Sequence, residues 1–100
     1  MAKTTIDEMK RRRLEAMSDD ERAEFDETYD ATRLALEVGE RVRAAREAAG
    51  FRQRELADRM GTRQAEVARL EDGDTGATLT TLQKVASALD LTVSIDLTPA

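Results

Sequence analysis

One hundred residues, 40% of them apolar, suffice for one small core and not for two, so a single domain is expected. Cysteine and histidine are both absent, which excludes thiolate and imidazole metal sites, Ser-His and Cys-His nucleophile pairs and disulfides, and leaves any enzymatic chemistry to carboxylates alone. The formal charge of -5 is unevenly laid out: residues 1–40 hold 7 bases and 12 acids, residues 41–73 hold 8 and 6, and residues 74–100 hold 1 and 3.

The middle third is thus locally positive, and every base in it is arginine. Such a layout suggests one face for an anion and another for something basic. No apolar run approaches the roughly 20 residues that span a bilayer, and MAKTTIDEMKRRR lacks the apolar centre of a signal peptide. The chain is expected to be soluble and cytoplasmic, with no membrane partner.

In chain order, Thr5 to Glu8 and Ser18 to Glu21 both have capping-box spacing, in which a hydroxyl accepts from a backbone N–H and a carboxylate reaches back. The first box opens a loosely patterned helix from Ile6 to Met17, with Met9 and Leu14 scattered around the basic run Lys10 to Arg13; a frayed or disordered segment would share that pattern. From Ser18 onward Phe25, Tyr29 and Leu36 follow a helical stripe, and eight acids face two bases before Val38, so this helix is acidic on its solvent side. Gly39 either breaks it or only weakens it. Val38, Val42, Ala45 and Ala49 then repeat at helical spacing up to Gly50, which sits where a C-terminal cap residue belongs.

Gln53 to Met60 gives a two-turn helix with Leu56, Ala57 and Met60 inward, stopped by Gly61. After a short turn comes Arg63 to Glu71, stopped by Gly73. DGDTGAT, residues 72–78, is a loop by composition, and Leu79, Leu82, Val85, Ala86 and Leu89 mark a further amphipathic helix. In the last segment Leu91, Val93, Ile95 and Leu97 alternate with polar residues at the period of a strand. A lone strand leaves its backbone groups unpaired, so antiparallel pairing with a second copy across a two-fold axis is expected; the alternatives are a continued helix or an extended tail against the core.

Two short helices joined by a glycine-containing turn make a helix-turn-helix, whose second helix enters the DNA major groove. FRQRELADRMGTRQAEVARLEDG resembles the motif of the Cro and phage-repressor type (XRE) family, Q-x-x-L-A-x-x-x-G followed by V or I and then L-E-x-G. Gln53, Leu56, Ala57, Gly61, Val67, Leu70, Glu71 and Gly73 fall in place. With Val67 and Leu70 turned to the core, Gln64, Ala65, Ala68 and Arg69 lie opposite. Arginine can donate a bidentate pair to guanine and glutamine to adenine, so Arg69 and Gln64, with Arg63 beside them, are suited to reading base edges, and Ala65 and Ala68 to close approach. The alternative is a solvated surface face. The resemblance implies that Gln53 contacts phosphate and braces the recognition helix; Arg52, Arg54 and Thr80 are further backbone-contact candidates. It also implies a buried salt bridge between Arg46 and Glu71.

Two features depart from the family pattern. Arg52 and Arg63 stand where serine or threonine usually caps the two helices, so capping is expected from Gln53, Thr62 or water. Glu66 is acidic beside the expected DNA, where it either accepts from cytosine N4 or pairs with an arginine.

The full arrangement, an acidic helix followed by LALEVGERVRAAREAAG, the motif and TLTTLQKVASALDLTVSIDL, is similar to HigA-type antitoxins over roughly Glu24 to Pro99; MGT-x-Q-x-x-x-ARLE is its most specific piece. That resemblance implies a homodimer that represses its own operon on double-stranded operator DNA and neutralises a small basic ribonuclease-type toxin of the RelE/ParE kind. Glu21, Glu24, Phe25 and Tyr29 are the candidate toxin contacts, carboxylates and aromatic anchors for a cationic surface. Rival readings are a solitary phage-type repressor without a toxin and a helical adaptor that binds only protein. The expected architecture is all-α: an N-terminal extension over residues 1–37, a repressor-like helix-turn-helix bundle over 38–90, and a C-terminal strand and tail over 91–100 that pairs across a dimer. No enzyme, cofactor or metal site is expected.

Overall fold

The computed structural model describes residues 11, 16 and 18–99. The helix expected from Ile6 to Met17 lies outside these, Arg11 and Ala16 excepted. Among the described residues the chain is helical: α1 spans Asp19–Ala48, α2 Gln53–Met60, α3 Gln64–Glu71 and α4 Leu79–Ala88. None of these helices is long and apolar enough to cross a membrane. Residues 91–99 have no regular secondary structure, and no ladder involves Leu91, Val93, Ile95 or Leu97 within the single chain.

The chain divides into two compact units, Met1–Ala31 and Thr32–Ala100. In the first, α1 starts at Ser18, whose hydroxyl accepts from the Glu21 N–H at 3.2 Å, and carries Asp19, Asp20 and Glu21 in its first turn, where the helix dipole favours negative charge. Phe25 and Tyr29, one turn apart, stack with ring centroids 6.5 Å apart.

The second unit holds the core. Val42 of α1, Leu56 and Ala57 of α2, Val67 and Leu70 of α3, and Val85 of α4 with Leu89 just beyond it form one buried cluster. α2 packs on both α3 and α4. Each helix contributes its residues at helical spacing, so one stripe per helix is buried and the other faces keep their charges. The α4 start is capped by Thr78, whose hydroxyl accepts from the Thr81 N–H at 3.3 Å.

Gly39 neither breaks nor bounds a helix, because α1 continues through it without interruption. Its value is proximity: a Cβ built there would stand 2.5 Å from the Glu71 carbonyl oxygen and 2.7 Å from that of Leu70. The glycine lets α1 lie directly against the C-terminal backbone of α3. Two opposed effects then govern Gly39→Ala, a helix-propensity gain of about 1 kcal/mol and an overpacking cost of roughly 1–3 kcal/mol against backbone that cannot rotate away. The clash wins. At the 2.5 Å approach the cost lies toward the upper end of that range, so a net loss of up to about 2 kcal/mol is expected in urea unfolding, and an unchanged or raised midpoint would show that α1 and α3 separate without cost.

Candidate nucleic-acid interface

The α2–turn–α3 unit is built by three small features. Ala57, 1% exposed, keeps α2 close to its neighbours. Gly61 takes the left-handed φ of 70° that ends α2, and the Thr62 N–H then donates back to the Ala57 carbonyl at 2.9 Å. Val67 and Leu70, 1% and 4% exposed, pin α3 to the core. Everything on the far side of α3 must therefore point outward.

Gln64, Ala65, Glu66 and Arg69 are exposed there, Arg63 is exposed at the helix start, and Ala68 is half-buried at the edge of the row. Arg52 and Arg54 are exposed at the start of α2, and Thr80 in the first turn of α4. A residue outside the expected set enters the capping. At α2 it is the Glu55 carboxylate that accepts from the Arg52 backbone N–H, at 3.2 Å, because a guanidinium has no acceptor to offer in the forward direction. At α3 Arg63 makes no side-chain cap, and neither Gln53 nor Thr62 takes that role in its stead.

What orients α3 is a carboxylate at its far end. Glu71 is 3% exposed and Arg46 9% exposed; Arg46 Nε donates to Glu71 Oε2 at 2.7 Å and Nη2 to Oε1 at 2.9 Å, a bidentate pair. Gln53 Nε2 donates to the same Oε1 at 3.3 Å, as does Arg43 Nε at 3.4 Å. The remaining arm of Arg46 donates from Nη1 to the Phe51 carbonyl at 2.8 Å. Burial pushes the Glu71 carboxyl up, but hydrogen bonds from Arg46, Gln53 and Arg43 and the Arg46 charge outweigh it and hold the group below the ordinary carboxylate range. The Glu71 hydrogen bond in turn raises the Arg46 guanidinium further, against burial.

Gln53 thus braces the anchor of α3 from its place at the start of α2. Glu21, Glu24, Phe25 and Tyr29 lie on the N-terminal unit, with Phe25 half-buried and the other three exposed. Leu91, Ile95 and Leu97 are exposed and Val93 half-buried. Sequence reasoning missed three residues. Gly39 and Arg43 share the Arg46 face of α1 at spacings of four and three, a signal that was available once Arg46 was singled out. Arg59 had none: it lies over the Phe51 ring at 4.3 Å and donates from Nη1 to the Ala88 carbonyl at 3.1 Å, a partner 29 positions away.

Compared with known protein families, residues 42–95, just over half of the chain, match the family described as Helix-turn-helix. No curated protein and no solved structure matches the chain.

Removing Arg46 strands a buried carboxylate, so Arg46→Ala should cost about 3–5 kcal/mol in a denaturant melt, whereas a surface pair would cost roughly 1 kcal/mol or less. Because the Glu71 pKa is lower folded than unfolded, its stabilisation is complete above the ordinary carboxylate pKa of about 4.3 and is lost as pH falls through the lower folded value. Stability should therefore drop on acidification below about pH 4–5, and Glu71→Gln should flatten that part of the curve. An acid limb identical in Glu71→Gln and wild type would assign the loss to other carboxylates.

Proposed function

The chain belongs to the helix-turn-helix family of DNA-binding transcription regulators, and from that premise we propose that it represses its own operon as a homodimer and neutralises a small basic ribonuclease-type toxin. The observation that carries the DNA reading is the outward row on α3. Arg69 offers a planar fork to guanine O6 and N7, Gln64 a donor–acceptor pair to adenine, Arg63 a second fork at the helix start, and Ala65 and Ala68 are small enough for close approach. Arg52, Arg54, Gln53 and Thr80 flank that row from α2 and α4 and would take phosphates.

Pairing between two copies is supported by Leu91, Ile95 and Leu97, which leave 51%, 61% and 95% of their surface exposed in a segment without regular secondary structure. A two-fold axis would set two recognition helices on half-sites about 34 Å apart. Toxin binding is supported by the N-terminal unit, where Glu21 and Glu24 accompany the Phe25–Tyr29 stack and Tyr29 is 45% exposed.

On a duplex enriched by the wild-type protein from a random pool, Arg69→Ala should cost about 1–3 kcal/mol and relax one position, while Arg54→Ala should weaken enriched and random duplexes alike and lower the salt slope by about one. Equal losses on both duplexes for Arg69→Ala would remove Arg69 from base reading. Ile95→Asp should sediment as a monomer; a dimer that persists would place the interface elsewhere. For the toxin, the test is growth of cells expressing the neighbouring small gene alone and with this protein: arrest relieved by this protein is expected, and absence of arrest counts against a toxin partner.

A further inference from the structure

α3 carries two acids with opposite fates. Glu71 is buried among donors, but Glu66 stays on the outward row, and its Oε2 lies 3.9 Å from Arg69 Nη1 with the two side chains 52% and 62% exposed. A pair this long and this exposed adds little to stability. Its electrostatic effect is selective instead. A phosphate approaching Arg69 meets the like charge of the Glu66 carboxylate, whereas the O6 and N7 acceptors of a guanine edge carry no formal charge and meet almost none of that repulsion.

We propose that Glu66 is a specificity-determining residue that acts by charge exclusion: held beside Arg69, it lowers the affinity of that guanidinium for the DNA backbone while leaving its affinity for a base edge nearly intact. The proposal rests on the reading of Arg69 as a base contact. Discrimination between operator and bulk DNA is a ratio, and it grows as much by weakening the second binding as by strengthening the first. Phosphate attraction supplies nearly all non-specific affinity, so one carboxylate at the reading residue subtracts where the ratio gains most.

The test measures the full-length protein on the enriched duplex and on a random duplex of equal length, at about 0.1 M salt where the Debye length of about 10 Å still spans the pair. Glu66→Gln, which keeps shape and removes charge, should bind the random duplex about three- to tenfold more tightly and the enriched duplex within about twofold of wild type, so that discrimination falls. Glu66→Asp, which keeps the charge, should retain most of it. In an Arg69→Ala background the Glu66→Gln gain on random DNA should shrink; an undiminished gain would overturn action through Arg69. Weaker binding to the enriched duplex with one relaxed base pair, and no change on random DNA, would make Glu66 a direct base reader and overturn charge exclusion. The two layers separate cleanly: if Arg69→Ala loses affinity equally on both duplexes the base-contact reading fails, and if Arg69→Ala stays base-selective while Glu66→Gln leaves the ratio unchanged, only this proposal fails.

Discussion

A carboxylate taken out of water is the constraint around which the second unit is organised. Desolvating Glu71 costs several kcal/mol, which one ion pair at ordinary geometry does not reliably return. The fold answers with four hydrogen bonds from three side chains, two from Arg46 and one each from Gln53 and Arg43. Those donors sit on α1 and α2, so the C-terminal end of α3 is held by both neighbours at once. A hydrophobic contact would fix its distance from the core and leave its rotation about its own axis soft. The bidentate pair fixes rotation too, and rotation decides which residues of α3 face outward.

The same device recurs along the unit. With few aromatics and no cysteines, the structure uses guanidinium groups to join segments that apolar packing alone would leave loosely set. Arg46 reaches past Glu71 to the Phe51 carbonyl and so fastens the turn after α1. Arg59 lies on the Phe51 ring and bonds the Ala88 carbonyl, linking the end of α2 to the end of α4. Lysine could supply the charge but neither the fork nor the flat face that stacks on a ring. The arginines of residues 41–73 are therefore of two kinds, and a charge count cannot separate them. Arg43, Arg46 and Arg59 are engaged in joining the bundle, while Arg41, Arg52, Arg54, Arg63 and Arg69 lie exposed, Arg41 beside Glu37 and Arg69 beside Glu66.

This division explains what the sequence could and could not disclose. The core stripes were legible because Leu56, Ala57, Val67, Leu70 and Val85 obey a local period that burial enforces. The turn was legible because Gly61 answers a local need for positive φ. Gly39 stayed open between breaking and weakening its helix for the opposite reason: its partner is backbone 32 positions away, and nothing within α1 distinguishes a glycine that weakens a helix from one that admits a neighbour. The reciprocal bond at Arg52 was legible in the sequence too, because Glu55 stands at the third helical position where such a carboxylate belongs. The C-terminal alternation of Leu91, Val93, Ile95 and Leu97 states a preference for extended backbone, but a ladder is a property of two strands, and in the single chain residues 91–99 have no regular secondary structure.

An acidic protein in a DNA-binding family is then less of a contradiction than its charge of -5 suggests. Counterion release depends on the phosphates that local arginines neutralise, not on net charge, and that part of the attraction is the same for every sequence. Equal attraction to all sites speeds encounter but does not distinguish one site from another. What a regulator needs is a rigid row of donors whose fit to one set of base edges exceeds their fit to phosphate, and that depends on the orientation of a few side chains, not on their sum. Here orientation is set from inside by the anchored Glu71, and under the proposed DNA reading the outward residues of α3 would carry the difference between sites. The buried face of α3 serves stability and its outward face is left for the proposed recognition, which is why an eight-residue element can hold its place in the core and still present a defined surface to solvent.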